Sequence, residues 1–211
     1  MLTAEALGEI FELRDPDLRF RKVLAHLDAN DVVIDCGANV GAVSKKFAAK
    51  GCQIHAFEPD PVALTFLRER LKDSPNVVIH EAAVGVSAGR AKLYFHRHRQ
   101  DVHNDVELTQ SSSLVADKRN VSVDDYAEVA VVDLGDFIVT LPKRVAVLKV
   151  DVEGGEAELL EMILERRLYE RFDVAFFETH EGKVPSIRPT MARVRSAIEQ
   201  LGIRNIFLDW K

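Results

Sequence analysis

Short apolar runs alternate with amphipathic stretches along most of the chain, and that alternation predicts a parallel sheet covered by helices on both faces. A helical segment is expected over residues 1–30, with its pattern clearest over residues 4–27. The first strand reads Val32, Val33, Ile34, Asp35; a glycine-containing turn then leads into a helix that runs through Phe47 and ends near Gly51. A second strand is expected at residues 54–58. Ala63, Phe66, Leu67 and Leu71 recur at helical spacing, and Ser74, Pro75 and Asn76 break that helix before the strand Val77, Val78, Ile79.

Regularity lapses over residues 82–130. An alternating strand candidate at residues 91–95, a polar stretch and the run Ser111, Ser112, Ser113 mark residues 91–130 as an insertion facing the substrate. Order returns with Val145, Ala146, Val147, Leu148, Lys149, Val150, Asp151, an apolar run suited to a central strand buried on both faces. Leu160, Ile163, Leu164 and Leu168 form the stripe of the next helix. A strand at residues 174–177, a helix carrying Met191, Val194, Ile198 and Leu201, and a terminal strand at residues 203–208 complete at least six parallel-type strands.

Composition narrows this picture. With 211 residues and 47% hydrophobic content the chain suits one well-buried domain spanning residues 1–211. A formal net charge of −6 argues against nucleic acid or an anionic membrane as the main partner, and the basic cluster His96, Arg97, His98, Arg99 is too short to alter that. No apolar run approaches the roughly 20 residues of a membrane-crossing helix, and the N-terminus lacks a basic region followed by an apolar one, so a cytoplasmic protein is expected. Cys36 and Cys52 have no metal-type spacing and suggest buried thiols rather than a disulfide framework.

The strongest local signal is Asp35-Cys36-Gly37-Ala38-Asn39-Val40-Gly41, placed between a strand and a helix. Glycines there let the backbone approach a ligand, and the helix N-terminus offers free N–H groups. A dinucleotide fingerprint wants G-x-G-x-x-G/A, but Asn39 stands at the middle glycine position, which disfavours a pyrophosphate. Glu58, about 20 residues beyond the loop at the end of the second strand, suits a carboxylate accepting hydrogen bonds from ribose hydroxyls.

The segments VVIDCGANVGAVSKKFAAKG, IHAFEPDP, NVVIHEAAVG and LKVDVEGGEAELL resemble those of the FkbM-type methyltransferases in order and spacing, over residues 31–178. The resemblance implies a Rossmann-like class I methyltransferase fold, S-adenosylmethionine as methyl donor and a hydroxyl oxygen of a sugar or natural product as acceptor. It also implies that Asp35, Gly37, Asn39 and Gly41 form the donor loop, that Glu58 contacts the ribose, and that Ala82 and Ala83 lie beside the adenine, with Glu81 near its amino group.

Asp151-Val152-Glu153-Gly154 ends the central strand and matches the family's most recognisable motif. Strand ends are where ligands bind in open α/β sheets, so Asp151 is expected to hold the methionine end of the donor or the acceptor, while Glu153 and Glu156 suit helix capping. Phe176-Phe177-Glu178-Thr179-His180-Glu181 brings a carboxylate and an imidazole to the same edge, and either Glu178 or His180 could act as general base. Asp151, Glu178 and His180 could alternatively bind a divalent metal, but no spacing demands one and none is expected. Two competing functions are a nicotinamide-dependent oxidoreductase and a donor-binding scaffold without turnover. Methyltransferases of this fold commonly finish with an antiparallel strand pair, and the residues beyond 208 are too few for one.

Overall fold

The computed structural model describes residues 2–98 and 112–210. Residues 99–111, which include Arg99 of the basic cluster, Ser111 and the middle of the expected insertion, lie outside the described residues. The expected helical opening is two helices, α1 (Ala4–Glu12) and α2 (Pro16–His26). The break between them follows from Asp15, whose carboxylate accepts the Leu18 N–H at 2.9 Å, with Pro16 in the first helical turn. Then come β1 (Val32–Cys36), α3 (Ala42–Ala48), β2 (Gln53–Phe57), α4 (Pro61–Leu71), β3 (Val77–His80), β4 (Ala83–Gly85) and β5 (Gly89–His96). The remainder is β6 (Val121–Asp133), α5 (Leu134–Thr140), β7 (Val145–Val150), α6 (Glu156–Glu165), β8 (Phe172–Phe177), α7 (Arg188–Gln200) and β9 (Ile206–Phe207).

Six strands form a sheet in the order β3-β2-β1-β7-β8-β9, with every neighbouring pair parallel. The two halves wind away from β1 and β7, so the crevice beyond those two strand ends is the switch point where open α/β sheets bind ligands. Alternation along each strand divides two cores. Val33, Val147, Val174 and Phe176 pack toward α1 to α4, whereas Ile34, Leu148, Ala175 and Phe177 pack toward α5 to α7. No helix among the described residues is long and apolar enough to cross a membrane.

Three expectations need correction. The irregular stretch is partly regular: β5 and β6 pair antiparallel and, with β4, form a separate three-stranded sheet. One face of this ribbon is open to solvent and β6 carries Asp124, Asp125 and Glu128, so its apolar alternation is too weak to read as a strand. The short helix α5 was not expected; Asp133 caps it by accepting the Asp136 N–H at 2.8 Å. The terminal strand is only Ile206–Phe207, paired parallel with β8. Beyond it Asp209 accepts a hydrogen bond from Arg19 at 2.8 Å and Trp210 packs on Phe20.

The tips of β1 and β7 meet at very close range. Asp151 N–H donates to Cys36 C=O at 3.0 Å, and a Cβ on Gly37 would fall 1.8 Å from the Asp151 carbonyl oxygen. Gly37 also has φ +75°, so two separate constraints require glycine there. Directly below, the buried Lys149 ammonium lies 3.2 Å from Asp35 Oδ1 and donates to Gly37 C=O at 2.7 Å.

Two stability predictions follow from this crossing. Gly37→Ala is expected to cost at least the roughly 1–3 kcal/mol of the backbone conformation, because the Asp151 carbonyl must also move. Lys149→Met leaves Asp35 buried without its cation and is expected to cost about 3–5 kcal/mol. Urea denaturation of both variants checks these values; a Gly37→Ala midpoint equal to that of the unsubstituted chain would contradict the first.

Candidate active site

The loop between β1 and α3 is shaped by three residues with positive φ, Gly37 (+75°), Asn39 (+48°) and Gly41 (+78°). Asn tolerates this region better than other non-glycine residues, which accounts for Asn39 at the centre of the turn. Two backbone bonds fasten the loop to the end of β2, from Gly37 N–H and Ala38 N–H to Phe57 C=O at 3.0 and 2.9 Å. Glu58 completes the attachment: its carboxylate accepts the Asn39 N–H at 2.7 Å and the Asp60 N–H at 2.8 Å. Burial pushes the Glu58 carboxyl up to about 7.

Beside this loop lies a cavity of about 460 Å³, within the range of small-molecule sites. Gly37, Asn39, Glu58, Ala82, Ala83, Asp151 and Glu178 all line it, so the structure brings together seven of the residues singled out in the sequence. Four others stand elsewhere. Asp35 is fully buried behind the loop, where it accepts a hydrogen bond from Ser44 Oγ at 2.6 Å and pairs with Lys149. Gly41 faces α4, where an added Cβ would come 2.7 Å from Leu67 Cδ1. The Glu81 side chain is 61% exposed and pairs with Arg68, away from the cavity that its neighbour Ala82 lines.

His180 is the fourth, and its setting differs most from expectation. A histidine on a loop is usually solvated, yet His180 is 3% exposed and lies behind the cavity wall among four carboxylates. Its Nδ1 is 2.9 Å from Glu156 Oε1; its Nε2 is 3.1 Å from Glu153 Oε2, 3.6 Å from Glu178 Oε1 and 3.9 Å from Asp151 Oδ1. Burial opposes a proton on the ring, but Glu153 and Glu156 outweigh it and push the imidazole up to about 10. A general base must be neutral at the working pH, so this environment does not suit His180 for that role. Burial opposes the charge of Glu153 as well; His180 and Lys118 overcome it and hold its carboxyl at about 2.

Several participants were not singled out in the sequence. Lys149 was legible, as a lone charge within an apolar strand; burial works against its ammonium, and Asp35 and Asp151 outweigh that and hold the proton more firmly than in water. Lys118 pairs with Glu153 at 2.7 Å. Ser113 Oγ donates to Glu153 C=O at 2.6 Å, and Ser112 Oγ to Asp60 Oδ2 at 2.8 Å, so the end of the insertion leans on the site. Nothing local in the sequence marks Lys118 or the cavity-lining Trp210, since their places depend on long-range packing. Glu153 has φ +59°, an unfavourable conformation for a non-glycine residue of the kind found at functional sites.

Comparison with known proteins bears on this geometry. Ribosomal RNA small subunit methyltransferase A of Thermotoga maritima is 38% identical over 72 residues, which are 34% of this chain and 25% of that protein. Hexuronic acid methyltransferase AglP of Haloferax volcanii is 28% identical over 163 residues, 75% of this chain and 62% of that protein. This chain therefore spans about a quarter to three fifths of these relatives. A precorrin-6y C5,15-methyltransferase structure from Geobacter metallireducens is 15% identical, covers 90% of this chain and 73% of its own, and has a TM-score of 0.46. The family model described as the methyltransferase FkbM domain matches residues 35–204. The chain belongs to the FkbM methyltransferase family, whose methyl donor is S-adenosylmethionine.

Proposed function

We propose that this chain transfers the methyl group of S-adenosylmethionine to a hydroxyl oxygen of a sugar or a small natural product. One observation carries the reading: the glycine loop, the buried Glu58 and the acidic edge of Asp151 and Glu178 line a single cavity at the switch point of the sheet. The residues fit the donor. Gly37 lines the cavity with backbone alone, and Glu58 has a lone pair on each oxygen beyond the ones that accept the Asn39 and Asp60 N–H groups. In this reading Gly37 and Asn39 face the donor, Asp35 and Gly41 support them from behind, Glu58 takes the ribose hydroxyls, and Ala82 and Ala83 lie along the adenine.

The cofactor supplies a methyl group on a sulfonium sulfur, which keeps the electron pair of the broken C–S bond and leaves as a neutral thioether. The acceptor oxygen forms the new C–O bond and its proton passes to a base, so the protein must chiefly align the hydroxyl and accept that proton. Glu178 and Asp151 border the cavity and are placed for both tasks. AglP supports a sugar acceptor by its name, and the net charge of −6 weighs against RNA despite the ribosomal RNA methyltransferase relatives. Asn39 in place of the middle glycine weighs against a nicotinamide oxidoreductase, and a scaffold without turnover would yield no methylated product.

Donor binding is expected to depend on pH through Glu58. Its carboxyl titrates near 7 in the free protein, whereas ribose hydroxyls need the ionised form, so lowering the pH from 8 to 6 is expected to weaken donor binding by up to about tenfold per unit below 7. Glu58→Gln is expected to bind more weakly and to lose this slope; calorimetry with the demethylated product at several pH values checks both, and an unchanged slope in the variant would reassign the effect.

Turnover tests the acceptor side. A panel of sugars incubated with isotopically labelled donor is expected to yield an O-methyl product identified by mass and NMR, and label on nitrogen or carbon would overturn O-methylation. Glu178→Gln is expected to lower turnover by roughly 10²- to 10⁴-fold while donor affinity stays nearly intact.

A further inference from the structure

The geometry points to a divalent-cation site formed by Asp151, Glu178 and His180 at the edge of the cavity, contrary to the sequence-based expectation of no metal. These residues come from the ends of β7 and β8 and the loop after β8, and their donor atoms all lie within 4.8 Å of one another. His180 Nε2 is 3.6 Å from Glu178 Oε1 and 3.9 Å from Asp151 Oδ1. Donors bound at about 2.1 Å around one octahedral ion stand about 3 to 4.2 Å apart, so small side-chain adjustments close the set.

Two further observations point to a ligand here. Asp151 Oδ1 and His180 Nε2 are both buried and make no hydrogen bond, and His180 as a whole is 3% exposed. Glu153 Oε2 is 3.1 Å from Nε2 but out of line for an N–H, so it does not satisfy that nitrogen. On the far side of the ring Nδ1 meets Glu156 Oε1 at 2.9 Å. A carboxylate there keeps a hydrogen on Nδ1, so a cation that displaces the proton from Nε2 would meet a lone pair facing Asp151 and Glu178, the usual support for a metal-ligating histidine. Glu156 is itself held by the Val152 and Gly154 N–H groups, at 3.1 and 3.0 Å.

Charge favours the same conclusion. Asp151, Glu153, Glu156 and Glu178 surround one imidazole, with Lys118 and Lys183 both on Glu153, at 2.7 and 3.4 Å, and Lys149 near Asp151 Oδ2 at 3.6 Å. A dication between Asp151 and Glu178 relieves their mutual repulsion. Two carboxylates and one imidazole suit Mn²⁺ or Mg²⁺, and three protein ligands leave positions open to the cavity. That the ion would hold the acceptor oxygen rests on the function proposed above; that it binds does not.

The test is Mn²⁺ alone, titrated into chelator-stripped protein without donor or acceptor and followed by the electron paramagnetic resonance signal of free Mn²⁺. One site per chain of micromolar affinity is expected. Asp151→Asn and Glu178→Gln are expected to weaken it at least tenfold, while the surface variant Glu81→Gln leaves it unchanged. Glu178 is 31% exposed along its side chain, so its variant serves if Asp151→Asn fails to fold by circular dichroism. Binding weaker than millimolar, or equal binding by Glu178→Gln, overturns the site. Calorimetry of the demethylated donor product in chelator reports separately on the methyltransferase reading: donor binding without a Mn²⁺ site sinks this inference alone, and a Mn²⁺ site without donor binding sinks the other.

Discussion

Asp35 and Lys149 face each other from adjacent central strands, 3.2 Å apart and shielded from water. Two charges in such a place are costly unless paired and hydrogen-bonded, and here each is. Asp35 also accepts from Ser44 Oγ on α3, while Lys149 also donates to Gly37 C=O in the turn that precedes that helix. The pair thereby ties the end of β1, the start of α3 and the end of β7 to one point. Because Gly37 has no side chain, the Asp151 backbone comes down onto the same turn. The glycine loop and the acidic edge are both anchored to this buried contact.

The large sheet explains why the chemistry gathers on one side. Parallel strands all present their C-terminal ends to the same edge, so the segments that follow Cys36, Phe57, Val150 and Phe177 all meet there. Backbone bonds lace those segments together across the edge: Asp151 N–H to Cys36 C=O, Glu178 N–H to Val150 C=O, and Glu58 N–H to His80 C=O, at 3.0, 3.0 and 3.1 Å. Beside the small sheet, which lends Val84 and Leu93 to the cavity wall, the segment between β5 and β6 adds Leu114. Its contact with the acidic edge is polar, through Lys118 and Ser113 on Glu153. The insertion therefore bears on the acidic edge and, through Ser112 on Asp60, also on the segment that holds the glycine loop.

His180 shows how environment overrides residue type. Its intrinsic pKa makes it an attractive base on paper, but a base needs a neutral ring open to substrate. Here the ring is walled in, held on one nitrogen by Glu156, and its other nitrogen faces carboxylates. Such a ring holds a cation, whether a proton or a metal, more readily than it takes a proton from an acceptor. Glu178, half-buried beside the cavity, is left as the group better placed to meet substrate.

Much of the fold was legible in the linear pattern. Strands buried on both faces read as apolar runs and helices as stripes, because each signal is local. The glycine turn and Glu58 were also legible, since their spacing follows from the length of one helix and one strand. The two-faced ribbon of β5 and β6 was not, because its open face carries charges that resemble a loop. Nor could sequence separate Gly37, which lines the cavity, from Asp35 and Gly41, which buttress it: all lie in one short motif, and only the direction of each side chain distinguishes them. That Asp151, Glu178 and His180 share one edge was read from the strand ends, but the closing of Lys118, Glu153 and Glu156 around His180 was beyond its reach. Those residues span 63 positions, from 118 to 180, and come together only because the tertiary structure brings the ends of β7 and β8, the start of α6 and the end of the insertion to one place.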